Sequence, residues 1–123
     1  MSLVIDDYDK AIEYYTTVLG FDLVEDKVMS PTKRWVRVKP KGDNPMSILL
    51  AKAKNEIEES RIGNQTGGRV FLFLHTDDIA REAQRLLSHN VEIIRPLVQE
   101  EWGKVMVFKD VYGNLWDLIE PVG

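Results

Sequence analysis

Apolar residues fall in short runs along this chain, and the first run, Leu3–Ile5, stops at Asp6-Asp7. A run of this length bounded by polar residues predicts a strand. The carboxylates behind it are suited to accept from the free N–H groups of a helix start. Ala11, Ile12, Tyr15, Val18 and Leu19 then recur at helical spacing, with Gly20 as the stop signal. Phe21–Val28, Trp35–Val38 and Met46–Leu50 read as three further strands, separated by Ser30-Pro31 and by a Gly42-Asp43-Asn44-Pro45 turn. The predicted order is βαβββ.

Residues 53–68 carry charge and glycine without a sustained period and read as an exposed connector. The first order then returns. Val70–Leu74 is an apolar strand, Asp77-Asp78 caps again, and Ile79, Ala83, Leu86 and Leu87 form a second helical stripe. Asn90 stands where Gly20 stood, and Val91–Ile94, Lys104–Phe108 and Leu115–Ile119 complete the set, the last two strands joined by an Asp110–Asn114 turn with Gly113 in it. Superposing the halves places Asp6-Asp7 on Asp77-Asp78, Arg34 on Lys104 and Ser47 on Asp117, at a lag of 70 or 71 residues. A long period met twice argues for a duplicated supersecondary unit and against a solenoid. The expected fold is α+β: two βαβββ modules, about 1–52 and 69–123, forming a curved mixed sheet around a cleft that suits a small ligand.

The length of 123 residues suits a single domain, and 44% hydrophobic with 29% charged residues excludes whole-chain disorder. Twenty acidic against sixteen basic residues give a net charge of −4, no footprint for a phosphate backbone or an anionic bilayer, so neither nucleic acid nor membrane is an expected partner. The absence of cysteine removes disulfides, thiolate nucleophiles and cysteine metal sites. Asp6, Asp7, Asp9 and Glu13 stand where a secretory signal would be apolar, which points to the cytoplasm.

Three fragments, Leu-Val-Ile-Asp-Asp-Tyr-Asp-Lys-Ala, Tyr-Tyr-Thr-Thr-Val-Leu-Gly-Phe and Asp-Val-Tyr-Gly-Asn-Leu-Trp-Asp-Leu-Ile-Glu-Pro, occur in this order on the repeated framework. Together they resemble the glyoxalase/bleomycin-resistance/dioxygenase superfamily, also called vicinal oxygen chelate, from Ser2 to about Pro121. The resemblance implies a homodimer. In members that do chemistry it also implies one divalent metal, held from the first and last strands of both halves and acting as a Lewis acid on vicinal substrate oxygens. The implied ligand positions fall one residue ahead of Met1, on Phe71, on Ser47 where a Glu is expected, and on Asp117. With Asp117 as the one matching ligand, no cofactor is expected, and a divalent metal is the alternative.

Strand alternation puts Asp117 on the opposite face from Trp116 and Leu118. It is either a ligand contact, general base or remnant metal ligand, or a carboxylate paired with Arg34 or Arg37. His75 shares parity with Phe71 and Phe73 and is either a cleft-mouth acid, base or ligand, or a solvated residue before the helix cap. Trp35, Phe71, Phe73 and Trp102 are the aromatic stock for a planar or cationic ligand, with ordinary packing as the competing account and Trp102 expected half exposed. Ser47 completes the candidate ligand set. Arg34 and Lys104 either meet an anionic ligand or guard strand edges. His89, at the end of the second helix, needs no function beyond the helix terminus.

Three functions compete: a small-molecule binding protein of the sequestration type without the full metal site; a divalent-metal-dependent lyase, isomerase or dioxygenase of the glyoxalase type; and an interaction domain whose cleft its own side chains fill. Which, if any, reaction is catalysed stays open at this level.

Overall fold

The computed structural model describes residues 1–42 and 46–122; Asp43, Asn44 and Pro45 of the turn expected after Gly42 lie outside the described residues. The fold is α+β, with a helix and a four-stranded mixed sheet in each of two units, Met1–Ile62 and Gly63–Gly123.

In the first unit β1 (Ser2–Ile5) leads into α1 (Tyr8–Glu13), followed by β2 (Asp22–Val28), β3 (Arg34–Lys39) and β4 (Ile48–Lys52). The sheet order is β1-β4-β3-β2, with β1 parallel to β4 and the other pairs antiparallel. Asp7 caps α1 by accepting from the Lys10 N–H at 3.0 Å. The expected stripe is then carried by two kinds of helix, since Tyr14–Val18 winds as a π-helical turn. The Thr16 hydroxyl donates to the Ile12 carbonyl at 2.7 Å, and the Leu19 N–H reaches back five residues to Tyr14. Ala11, Tyr15 and Leu19 are buried all the same, over Leu3, Ile5, Val36, Val38, Ile48 and Leu50. Tyr15 stacks on Phe21 with ring centroids 6.0 Å apart.

The connector holds one short helix, α2 (Glu56–Glu59), which its hydrophobic period did not announce. It is made by its cap: Asn55 accepts from the Glu58 N–H at 2.9 Å.

The second unit repeats the plan in β5 (Val70–His75), α3 (Ile79–Ser88), β6 (Glu92–Glu100), β7 (Gly103–Lys109) and β8 (Leu115–Pro121), in sheet order β5-β8-β7-β6. Asp78 caps α3 through the Arg81 N–H at 3.1 Å, and Asn90 leaves the helix at φ 58°, the left-handed region a stop residue must enter. Ile79 and Leu86 are buried, whereas Leu87, expected on the same stripe, is exposed. Phe108 stacks on Trp116 with centroids 5.8 Å apart at the centre of this core. β6 runs six residues past the strand expected at Val91–Ile94, through Pro96 to Glu100. Proline has no N–H to donate, but β6 is an edge strand and its ladder to β7 is irregular around Ile94 and between Arg95 and Val98, which accommodates the ring.

Among the described residues, no helix is long and apolar enough to cross a membrane.

Candidate functional site

Each sheet buries one face under a helix of its own unit, α1 or α3, and turns the other, free face away from that helix. On the second sheet Trp116 and Leu118 are buried on the side where β8 meets α3, so Asp117 lies on the free face. The ladders align one row across that face: Arg95 opposite Val107, Val107 opposite Asp117, and Asp117 opposite Phe73. Phe73 is 67% exposed, an unusual state for a phenylalanine inside a strand. Burial holds the Asp117 carboxyl above the usual carboxylate range, and the positive charge of Arg95 opposes that shift. Arg95 is thus the basic neighbour of Asp117. Of the two arginines expected to pair with it, Arg34 bonds Asp26 and Asp9 and Arg37 bonds Glu25.

His75 continues the β5 face opposite Ile119 and is exposed. Trp102 sits in the tight Glu101-Trp102 turn joining β6 to β7, its carbonyl accepting from the Val122 N–H at 3.0 Å and its side chain 53% exposed. Phe71 is half-buried in a hollow of about 310 Å³ at the other end of β5, shared with Arg69, Ile94, Lys109 and Leu115 and walled by the 63–68 segment. That wall is fastened where Gly63, at φ 72°, lies so close to the Tyr112 carbonyl that any Cβ would overlap it. Arg95 and this wall have no local sequence signal. The irregular ladder of β6 breaks the alternation that would place Arg95, and the wall needs the contact with Tyr112.

On the first sheet, Val36 and Val38 are buried and Trp35 and Arg37 occupy the opposite face, with Trp35 39% exposed. Arg37 is fixed there by Glu25 through Nε at 3.0 Å and by the Ser47 hydroxyl through Nη1 at 3.2 Å. Arg34 lies on the opposite face, stacked 5.3 Å from the centroid of Tyr8. Its two carboxylate partners raise its pKa further above the ordinary arginine range. Lys104 pairs with Glu120 at 3.8 Å, and His89 ends α3. The Lys104 ammonium thus has a partner within the fold, and His89 serves as the C-cap of α3 through its backbone N–H.

The ladders also correct the superposition of the halves. Arg37 faces Leu49 as Val107 faces Asp117, and Ser2 faces Leu49 as Phe73 faces Asp117. The counterpart of Asp117 in the first unit is therefore Leu49, two residues beyond Ser47, because β4 sits two positions out of the lag that aligns β3 with β7.

The profile of the Glyoxalase/Bleomycin resistance protein/Dioxygenase superfamily matches residues 1–118. The chain belongs to this superfamily. A protein of Shewanella frigidimarina is 48% identical over 121 residues, covering 98% of this chain and 90% of that one. Among solved structures, the antibiotic binding protein TnmS3 of Streptomyces sp. CB03234 is 28% identical, with a TM-score of 0.76 over 99% of this chain and 93% of its own. A superfamily member of Sphaerobacter thermophilus is 25% identical, with a TM-score of 0.73 over 98% and 93%.

The side chains at the metal-ligand positions that the resemblance implies make a poor set of donors. Phe71 has no donor atom. The Ser47 hydroxyl is engaged by a guanidinium, itself a fixed positive charge. Leu49, the counterpart of Asp117, is a hydrocarbon. Among the described residues, no three His, Asp or Glu side chains gather as a ligand set.

Proposed function

We infer that this superfamily member is a small-molecule binding protein of the sequestration type, acting without the full metal site. The observation that carries this reading is the row on the second sheet, where an exposed Phe73 lies beside the desolvated carboxylate of Asp117, and among the described residues no three His, Asp or Glu side chains gather as a ligand set. An exposed aromatic beside a carboxylate on a stiff sheet suits stacking and one polar contact with a flat organic ligand. A metal Lewis acid needs several converging donors, and the residues present do not fit one. The likeness to an antibiotic binding protein supports the same class of ligand. On this reading the ligand-binding residues are Trp35, Ser47, Phe71, Phe73, His75, Trp102 and Asp117. The protein is also a homodimer on this reading, which the exposed Leu97, Val98 and Trp102 along β6 and its turn support.

Thermal unfolding of the chelated protein, with Ni²⁺, Zn²⁺, Mn²⁺, Fe²⁺ and Mg²⁺ added singly and then with a panel of aromatic antibiotics, tests the reading. A ligand at a hundredfold excess over its Kd adds about 2.7 kcal/mol, several degrees in Tm for a domain of this size. The expected result is a shift with an aromatic compound and none with the metals. A metal-induced shift abolished by Asp117→Ala would overturn the reading in favour of a metal-dependent lyase, isomerase or dioxygenase.

A further inference from the structure

At the end of the first sheet where β3 begins and β4 ends lies a hollow of about 530 Å³, within the range of small-molecule sites. Leu49, Ala51 and Ala53 form its floor on the face of Trp35, and the hollow turns round the end of the sheet to the helix face, where Tyr8, Arg34, Leu50 and Lys52 line it. Four cationic side chains line it, Lys33, Arg34, Lys52 and Lys54, against the single carboxylate of Glu58. Arg34 is committed to Asp26 and Asp9, and Lys54 lies 3.9 Å from Glu58, which balances that acid. Two carboxylates on one arginine leave a negative charge over, so Lys33 and Lys52 together give the hollow one positive charge in excess.

Their placement follows from the fold. Lys33 closes the β2–β3 turn, its carbonyl accepting from the Met29 N–H at 2.9 Å and the Ser30 N–H at 3.1 Å. Lys52 is the last residue of β4, in register with Ile5. In a protein of net charge −4, a concave surface with this local excess of positive charge attracts anions and repels cations. The apolar floor and Trp35 add a requirement that a bare phosphate or sulfate does not meet.

We propose that this hollow binds a flat aromatic acid, its ring against Trp35 and the Leu49-Ala51-Ala53 floor and its carboxylate or sulfonate between Lys33 and Lys52. The proposal rests on the reading of the Trp35 face as a ligand surface and adds the charge class of what binds there. Lysine suits this task because its ammonium is a mobile point charge that follows an anion without demanding a fixed angle.

The test is isothermal titration of the full chain with 2-naphthoate and with its neutral isostere 2-naphthamide, at low and at moderate salt. The acid should bind about tenfold more tightly than the amide at low salt, and added salt should narrow the gap. In K33Q/K52Q the preference should vanish with the amide affinity unchanged, and W35A should weaken both compounds. Both lysines are exposed, so an unaltered Tm will show the double variant to be folded. Equal affinities in the parent protein, or a preference that survives K33Q/K52Q, would overturn the charge class while leaving a ligand surface at Trp35. Failure of both compounds to bind would overturn the hollow as a site, leaving the row around Phe73 and Asp117 to the antibiotic panel.

Discussion

The indole Nε1 of Trp116 donates to Oδ2 of Asp110 at 3.0 Å, inside the core of the second unit. The same oxygen accepts from the Asn114 side chain at 3.1 Å, while Oδ1 accepts from the backbone N–H groups of Tyr112, Gly113 and Asn114 at 2.9 to 3.0 Å. One buried carboxylate thus gathers five donors, closing the β7–β8 turn and fixing the tryptophan that puts its neighbour Asp117 on the free face. Asp110→Asn would present an NH₂ group to donors and should cost about 2–4 kcal/mol in urea unfolding. Trp116→Phe removes one donor, so its hydrogen-bond loss should be the smaller part of its total cost, the rest being packing against Phe108.

Asp117 should respond to pH in the opposite sense from a salt-bridged acid. Its folded-state pKa lies above the ordinary value of about 3.8, so its favourable contribution is present below that pH and is lost as pH rises through the folded value. At pH 7 the charged form costs stability, and Asp117→Asn should raise Tm there, with the gain disappearing below about pH 3.8. A lower Tm at pH 7 would reveal a partner that prefers the carboxylate.

The two ends of α3 offer a matched pair. Asp78→Ala removes the acceptor for the Arg81 N–H and should cost about 1 kcal/mol. Asn90→Ala puts a Cβ without a polar group at φ 58° and should cost a similar amount, while Asn90→Gly should be neutral or better. Chemical denaturation of the three variants checks both statements.

Gly63→Ala should be far more damaging than Gly67→Ala, although both residues have φ near 70°. At Gly67 a Cβ meets nothing within 4 Å, and the cost is the backbone term of about 1 kcal/mol. At Gly63 the Cβ overlaps the Tyr112 carbonyl, for a total of about 2–4 kcal/mol, and the wall beside Phe71 should loosen. Hydrogen exchange over residues 63–69 separates the two effects.

Much of the fold was legible along the chain because its causes are local. The caps at Asp7 and Asp78, the helix stop at Asn90 and the alternation that sets Asp117 opposite to Trp116 and Leu118 each depend on a few adjacent residues. Other features escaped for reasons equally physical. Thr16 takes part in a π-helical turn that shares its buried stripe with an ordinary helix, and the α2 helix is made by a cap without an apolar period.

The sequence by itself determined the duplicated βαβββ order and the superfamily, because hydrophobic period, turn residues and caps act over short distances. Only the tertiary structure decided which residues meet. It set Leu49, not Ser47, opposite Arg37 in the place that Asp117 holds in the other unit, and a register shift between Ile93 and Arg95 brought Arg95 into the row of Asp117. Strand register is a long-range choice made by hydrogen bonding between distant segments, and a bulge shifts it without leaving a mark on either segment's pattern.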